Sequence, residues 1–332
     1  MSEAKRTGIL IIGHGSRRQE ANEILFKIKS LLKKRIRVDE IEAAFFSLSE
    51  PDIPTAIGSL VKKGCLHIIA QPFFLFRGNH MRLDMPEVLK ECEKRHEGVK
   101  VDLMEPLGGD MRIVEILEEK IIEAVSPLIH VNCLPPPDEI EKTSMEIIER
   151  RLVHYNIEKE HIDLVKRVVH ATADFSFVHS LRFHPEAVSI ARELLSSDSP
   201  IIVDVNMVMA GIIKKDKRRI LCSIEDDEVK KTAKMNGLTR AEAAMERLSR
   251  EMNRGIVVIG NAPTALRRVI DLVNRGDAYP GLIIGVPVGF VGASESKIEL
   301  LKTDIPYITN IGPRGGTPVA CSIINALILI NS

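Results

Sequence analysis

Two kinds of stretch alternate along the first third of the chain. The run at 8–12 is short, apolar and β-branched, the mark of a buried strand, and further strands are expected at 41–46, 66–70 and 99–104. Between them lie longer segments with helical periodicity. In the first of these, Ala21, Ile24, Leu25, Ile28, Leu31 and Leu32 return at the spacing of one helix face. A second helix starts at Pro51 and closes on Gly64, a third follows the third strand, and a fourth runs near 110–124. Strands and helices alternating at these lengths predict a parallel sheet covered on both faces.

The pattern breaks over 126–137, where Pro127, Pro135, Pro136 and Pro137 cannot propagate a helix and suit a stiff spacer. The chain therefore reads as α/β, with two domains over 1–125 and 138–332 joined by this Pro-rich linker. Each is expected to be a mostly parallel sheet flanked by helices. The second domain opens with a helix over 138–152, in which Ile140, Ile147, Ile148 and Leu152 make an apolar stripe and Ser144 falls off it. A helix over about 160–169 delivers Arg167 and His170. Three buried strands, 201–205, 256–260 and 282–286, each run into a turn of glycine or small residues. A last glycine turn at 312–318 precedes a terminal helix, and the amphipathic helix 239–253 reads as structural.

Bulk properties narrow the function classes. A length of 332 residues gives both domains ample core. The 46 basic and 46 acidic side chains cancel, and with no Trp and three Tyr the composition points away from nucleic acid and anionic membranes. The apolar run near the N-terminus is too short for a membrane span or a signal peptide. Cys65, Cys92, Cys133, Cys222 and Cys321 are scattered and form no CxxC pair, which fits reduced thiols and a cytoplasmic location.

In parallel sheets, ligands sit at the carboxyl ends of the strands. His14, in Gly13-His14-Gly15-Ser16, lies just past the first strand, Glu50 lies at the end of the second, and His80 follows the third by about ten residues. Imidazole suits divalent cobalt, nickel, iron or zinc, and two His without Cys leave positions open for a metal in transit. The plainer readings are a tight turn with a surface His, and a carboxylate meeting a helix dipole. Neither GxGxxG nor a Walker loop is present, so a nucleotide is not the expected ligand. In the second domain, VVHATADFSF places His170 between Arg167 and Asp174. A histidine in such a setting can donate protons near neutral pH, or can simply be a hydrogen-bonded core residue. The turns GNAPTAL, PVGFVGA and GPRGGTP set backbone N–H groups at strand ends, where carboxylate or phosphate could bind, although each is also compatible with a tight turn alone. The run KKDKRR at 214–219 reads as a solvated loop.

These motifs carry two resemblances. Residues 1 to about 125 resemble the short sirohydrochlorin cobaltochelatases of the class II chelatase superfamily, through GHGSR at 13–17, SEPDIP at 49–54 and PFFLFRGNH at 72–80. That resemblance implies that His14 and His80 bind the incoming Co²⁺, the substrate metal, and that His14 also accepts pyrrole protons. It implies that Glu50 and the loop Leu75, Phe76, Arg77, Gly78, Asn79 and His80 contact the tetrapyrrole, and that the protein is a homodimer. Ser47 stands where such relatives often carry a carboxylate. Residues from about 135 to the end resemble precorrin-8X (cobalt-precorrin-8) methylmutase, through KTSMEIIE, RVVHATADF, DVNMV, TRAEAAM, GNAPTAL, PVGFVGASESK and GPRGGTP. This implies His170 as proton donor and acceptor, Ser144 and Arg167 as substrate-binding residues, no organic cofactor, and migration of a methyl group from C-11 to C-12 to give cobyrinate. Relatives often have glycine at the place of Ala173. The implied whole is a bifunctional enzyme of cobalamin biosynthesis acting on sirohydrochlorin and cobalt-precorrin-8. The competing readings are a non-catalytic corrinoid or tetrapyrrole carrier, and a nickel or iron chelatase in the first domain.

Overall fold

The computed structural model describes residues 6–36, 38–76, 78, 83–125, 136–197, 199–213 and 218–331. Arg77, Asn79, His80, Cys133 and most of the Pro-rich segment lie outside the described residues. The chain divides into two compact units, Met1–Val131 and Asn132–Ser332.

The smaller unit runs β1 (Arg6–Gly13), α1 (Gln19–Arg35), β2 (Glu40–Phe45), α2 (Ile53–Lys62), β3 (Cys65–Pro72), α3 (Met85–Arg95), β4 (Lys100–Leu103) and α4 (Arg112–Val125). Its four strands are all parallel, in the order β2-β1-β3-β4. Successive side chains of a strand point to opposite faces. Leu10, Ile12, Ile68 and Ala70 accordingly bury against α2 and α3, while Ile11, Ile41, Ala43 and Phe45 bury against α1. The order reverses between β1 and β3, so the loops after these two strands part at a topological switch point, the usual crevice for a ligand.

The larger unit begins with α5 (Pro137–Leu152), α6 (Ile162–Thr172), α7 (Ser176–Ser180), β5 (Leu181–Phe183), α8 (Ala187–Ser196), β6 (Ile201–Val203), α9 (Asn206–Gly211) and β7 (Ile220–Leu221). It continues with α10 (Asp227–Asn236), α11 (Arg240–Arg247), β8 (Ile256–Ile259), α12 (Pro263–Arg275), β9 (Leu282–Gly285), α13 (Ala293–Leu300), β10 (Tyr307–Asn310) and α14 (Thr317–Ile330). The sheet order is β5-β10-β9-β8-β6-β7, parallel except for β5, which runs antiparallel to β10. Ile201, Val203, Ile256, Val258, Leu282 and Ile284 face a core with α5, α6, α8 and α14, and Ile202, Val257, Ile259 and Ile283 face one with α10, α11 and α12. No helix among the described residues is long and apolar enough to cross a membrane.

Several sequence expectations shift in detail. The segment 206–211, read as a turn, is the short helix α9, and β5, β7 and β10 join the three expected strands. Helix 239–253 ends as α-helix at Arg247 and continues as a 3-10 turn, Ser249–Met252. Its start follows its sequence: Thr239 and Glu242 form a reciprocal capping box. In α5, Ile148 and Leu152 are buried but Ile140 and Ile147 are about half exposed, so the apolar stripe buries only at its C-terminal end. Pro137 does not belong to a spacer. It opens α5, where its missing N–H costs nothing.

Candidate functional site

Helix α6 carries His170 in its last turn, at the edge where the parallel strands end. Ile311, just past β10, donates its N–H to the Ser180 carbonyl, which anchors the segment after α6 to that edge. His170 is half-buried, and its Nδ1 lies 3.0 Å from Ser144 Oγ on α5. A serine hydroxyl can either donate to a bare Nδ1 or accept from Nδ1–H. The pair therefore stays hydrogen-bonded in either protonation state of the ring, with Nε2 left to exchange a proton. Arg167, one turn back, pairs through Nη1 with Glu141 Oε1 at 3.1 Å. That pair is largely solvated, and exposed pairs contribute only about 0–1 kcal/mol, so a ligand carboxylate offering two hydrogen bonds can displace Glu141. Helix α6 ends at Ala173, whose φ of +51° is left-handed and better suited to glycine. The methyl group noted from the sequence thus bears on the backbone as much as on the site.

Asp174, next in the chain, accepts from the Ser176 N–H at 2.9 Å and from Arg314 Nη1 at 2.6 Å, and Arg314 also donates to Ser176 Oγ. Arg314 belongs to GPRGGTP but carried no individual role in the sequence. Its link to Asp174 spans 140 positions, a separation no local pattern encodes.

The three glycine turns do not all present vacant donors. The carboxylate of Asp204, fully buried after β6, accepts from the N–H groups of Gly260, Asn261 and Ala262 at 3.1, 2.7 and 2.8 Å. GNAPTAL is therefore a nest filled by the chain's own carboxylate, closer to the tight-turn reading than to an anion site for a ligand. Burial pushes the Asp204 carboxyl up from its ordinary range, and the three backbone donors oppose that shift. The other two turns are used partly by each other: Gly289 N–H donates to Pro313 O at 3.0 Å, and Gly316 N–H to Val286 O at 2.8 Å. Around them stands an exposed apolar rim. Phe290 is 97% and Val291 89% exposed, with Met207, Val288 and Ile311 partly so. A cleft of about 790 Å³ beside Tyr279 and Pro306 opens before β9 and β10, at the opposite edge from His170, and its lining contains no histidine.

Lys297 on α13 is also fully buried, and burial pushes its pKa down to about 8. Unfolded, the side chain keeps its proton up to its ordinary 10.5. Between these values the unfolded chain binds more protons than the folded one, so this residue's contribution to stability rises with pH across that window. The urea midpoint of the wild type is expected to gain on that of Lys297→Met from pH 8 to pH 10. A flat difference would contradict the shift.

In the smaller unit, His14 leaves β1 exposed at the switch point. Its carbonyl accepts from the Ser47 N–H at 2.9 Å, and Ser47 Oγ lies 3.4 Å from His14 Nδ1. The turn needs glycine next to His14: Gly15 has φ +91°, and a Cβ there would collide with the Ser47 carbonyl. Glu50 is exposed and turns back to accept from the Asp52 N–H at 2.9 Å, while Asp52 itself caps α2 by accepting from the Thr55 N–H. Glu50 also borders a cleft of about 430 Å³ with Ser16, Arg17 and Asn22. Asn22, passed over in the sequence, ties the loops together through Ser16 N, Ser16 O and Ser49 Oγ. Leu75, Phe76 and Gly78 are exposed after β3, and Phe74 meets His14 edge-on at 6.1 Å. The expected ligand His80, with Arg77 and Asn79, lies outside the described residues. Among the described residues, one His–carboxylate group has metal-like spacing, Glu158, Glu160 and His161. It sits at the start of α6, the end away from His170.

A family model described as precorrin-8X methylmutase matches residues 139–330, and one described as CbiX matches residues 8–124. The chain is 41% identical over 198 residues to a cobalt-precorrin-8 methylmutase of Priestia megaterium, covering 58% of this chain and 88% of that protein. It is 46% identical over 183 residues to a cobalt-precorrin-8 methylmutase of Methanocaldococcus jannaschii, covering 55% and 85% respectively. Among solved structures, the precorrin-8X methylmutase from Thermus thermophilus matches with a TM-score of 0.53 at 29% identity, covering 58% of this chain and 97% of that one.

Proposed function

The chain belongs to the precorrin-8X methylmutase family and carries a CbiX domain ahead of it, and on that premise we propose a bifunctional enzyme of cobalamin biosynthesis. Its larger unit isomerises cobalt-precorrin-8 to cobyrinate by moving a methyl group from C-11 to C-12. The observation that carries this reading is the His170 Nδ1–Ser144 Oγ contact. His170 Nε2 gives a proton to the macrocycle, which becomes electron-poor and more open to a sigmatropic shift, and takes a proton back after the methyl group has moved. Ser144 keeps the ring oriented through both states. Arg167 exchanges Glu141 for a peripheral carboxylate of the substrate, where its planar fork can bind two oxygens. The rim around Phe290 and Val291 supports a large ligand, because a tetrapyrrole offers apolar faces as well as carboxylates. Conversion of cobalt-precorrin-8, followed by absorbance, tests this half.

The smaller unit inserts Co²⁺ into sirohydrochlorin. Each insertion releases two pyrrole protons, which the exposed His14 accepts one after the other, passing the first to solvent before taking the second. His14 and His80 take the metal on its way in, and Glu50 with residues 75–80 contacts the ring. A cobalt-inserting unit on the same chain favours the cobalt-bearing substrate for the other half. A cytoplasmic homodimer completes the reading. Incubation with sirohydrochlorin and Co²⁺, Ni²⁺ or Fe²⁺ in turn tests the metal. With the preferred metal, His14→Ala is expected to lower the insertion rate by about 10²-fold, the usual scale for a lost proton acceptor. Insertion within twofold of wild type would remove His14 from the mechanism.

A further inference from the structure

Burying a cation without a counter-ion is costly, and a side chain held that way has to be offset by what it binds. Lys297 is in this position. It has no exposed surface, no carboxylate pairs with it among the described residues, and its Nζ donates to Asn310 Oδ1 at 3.2 Å and to the Arg314 carbonyl at 2.6 Å. The same carbonyl accepts from Asn310 Nδ2 at 2.9 Å, so two donors fix one backbone oxygen from beneath. From above, the turn is fixed against the end of β9. Gly316 N–H donates to Val286 O, and Gly315, at φ +150°, comes so close that a Cβ would collide with that carbonyl. The side chain of Arg314 leaves the clamped turn toward Asp174 and Ser176, the segment directly after His170.

We propose that Lys297 is a positioning residue for the methyl shift: by holding the Arg314 carbonyl it sets the turn 311–316, and so aims the Arg314 side chain that latches the end of the His170 helix. This rests on the function proposed above for the larger unit. Lys297 touches no reacting atom; it acts through one carbonyl and one arginine. Displacements of about an ångström in such supporting groups can cost up to about 10²-fold in rate.

The test is Lys297→Met in the full chain, which keeps the length of the side chain and removes its donors. With cobalt-precorrin-8, kcat is expected to fall by roughly 10- to 100-fold while KM moves by less than about threefold, since the latch bears on the proton-transferring group rather than on ground-state binding. Arg314→Ala should cause a similar fall, and the double variant should be little worse than either single one, because both break the same link. Hydrogen exchange, which needs no substrate, should speed up at 311–316 and at 172–177 in Lys297→Met and stay unchanged in α10 and α11. If Lys297→Met does not fold, Asn310→Leu removes the other donor to the same carbonyl and carries the same expectations. Unchanged exchange at both segments, or multiplicative losses in the double variant, would overturn the proposal. Faster exchange at both segments in Lys297→Met, together with a wild-type chain that does not convert cobalt-precorrin-8, would instead reject the proposed function and leave the positioning link standing.

Discussion

Replacing His170 by alanine is expected to lower kcat for the methyl shift by about 10²–10⁴-fold, the range spanned by a lost general acid, with little change in thermal stability. The asymmetry follows from where the residue sits. His170 is half-buried at the end of α6, and among the described residues its side chain meets a serine on a neighbouring helix. Its removal leaves a hydroxyl that water can reach, so the fold loses little. Its removal from the reaction takes away the group that can both give and receive the proton. Ser144→Ala should be milder, about tenfold, because the imidazole stays in place and loses only its orientation. The ranking is as informative as either value. A Ser144 variant more damaged than the His170 variant would make the hydroxyl the primary group. Turnover by His170→Ala within a few-fold of wild type would end the proton-donor reading. Both are checked by steady-state kinetics with cobalt-precorrin-8, alongside a thermal melt.

The largest effect on stability is expected from Asp204→Ala. The carboxylate is fully buried at the switch point between β6 and β8 and accepts from three successive backbone N–H groups. Truncation leaves three backbone donors without an acceptor, that of Gly260 buried and those of Asn261 and Ala262 partly so, and an unmet buried group costs about 1–3 kcal/mol. Relief of the carboxylate's own desolvation returns part of this, for a net loss of about 3–5 kcal/mol, the scale for removing one side of a buried charged cluster. For a unit of this size that corresponds to a fall in Tm of roughly 6–20 °C. Asp204→Asn should fall between the two, since one amide oxygen can serve part of the nest while its NH₂ faces donors. A melt within about 2 °C of wild type for the alanine variant would mean that water replaces the carboxylate. The same geometry removes this crevice from the candidate binding sites. An internal anion ties together the two loops that a ligand would otherwise part, and the exposed rim lies toward β9 and β10 instead.

The α/β class and the positions of the main helices were readable in the sequence, because burial on both faces of a parallel sheet demands short continuous apolar runs and because amphipathic helices repeat at a fixed spacing. Local chemistry was readable too. The Thr239–Glu242 capping box concerns neighbours three residues apart, whereas the demand for glycine at 15 comes from the Ser47 carbonyl, far along the chain. Short strands were readable only where they are continuous apolar runs, as in β6, β8 and β9; β7 has just two residues, and polar side chains (Arg182 in β5, Thr309 and Asn310 in β10) interrupt the others. The motifs also pointed to His170, Ser144 and Arg167, but spacing could not say that a serine 26 positions away would meet Nδ1.

What the sequence determined alone, then, is which segments become strands and helices and which motifs gather at strand ends, since those depend on local stereochemistry and the pattern of apolar residues. What only the tertiary structure decided is who answers whom: Asp204 filling the nest at 260–262, Lys297 under the Arg314 carbonyl, Arg314 on Asp174. A hydrogen bond between residues far apart in the chain leaves no periodic trace. Its partners are chosen by the sheet order and by the cost of burying an unmet polar group, and both exist only once the chain has folded.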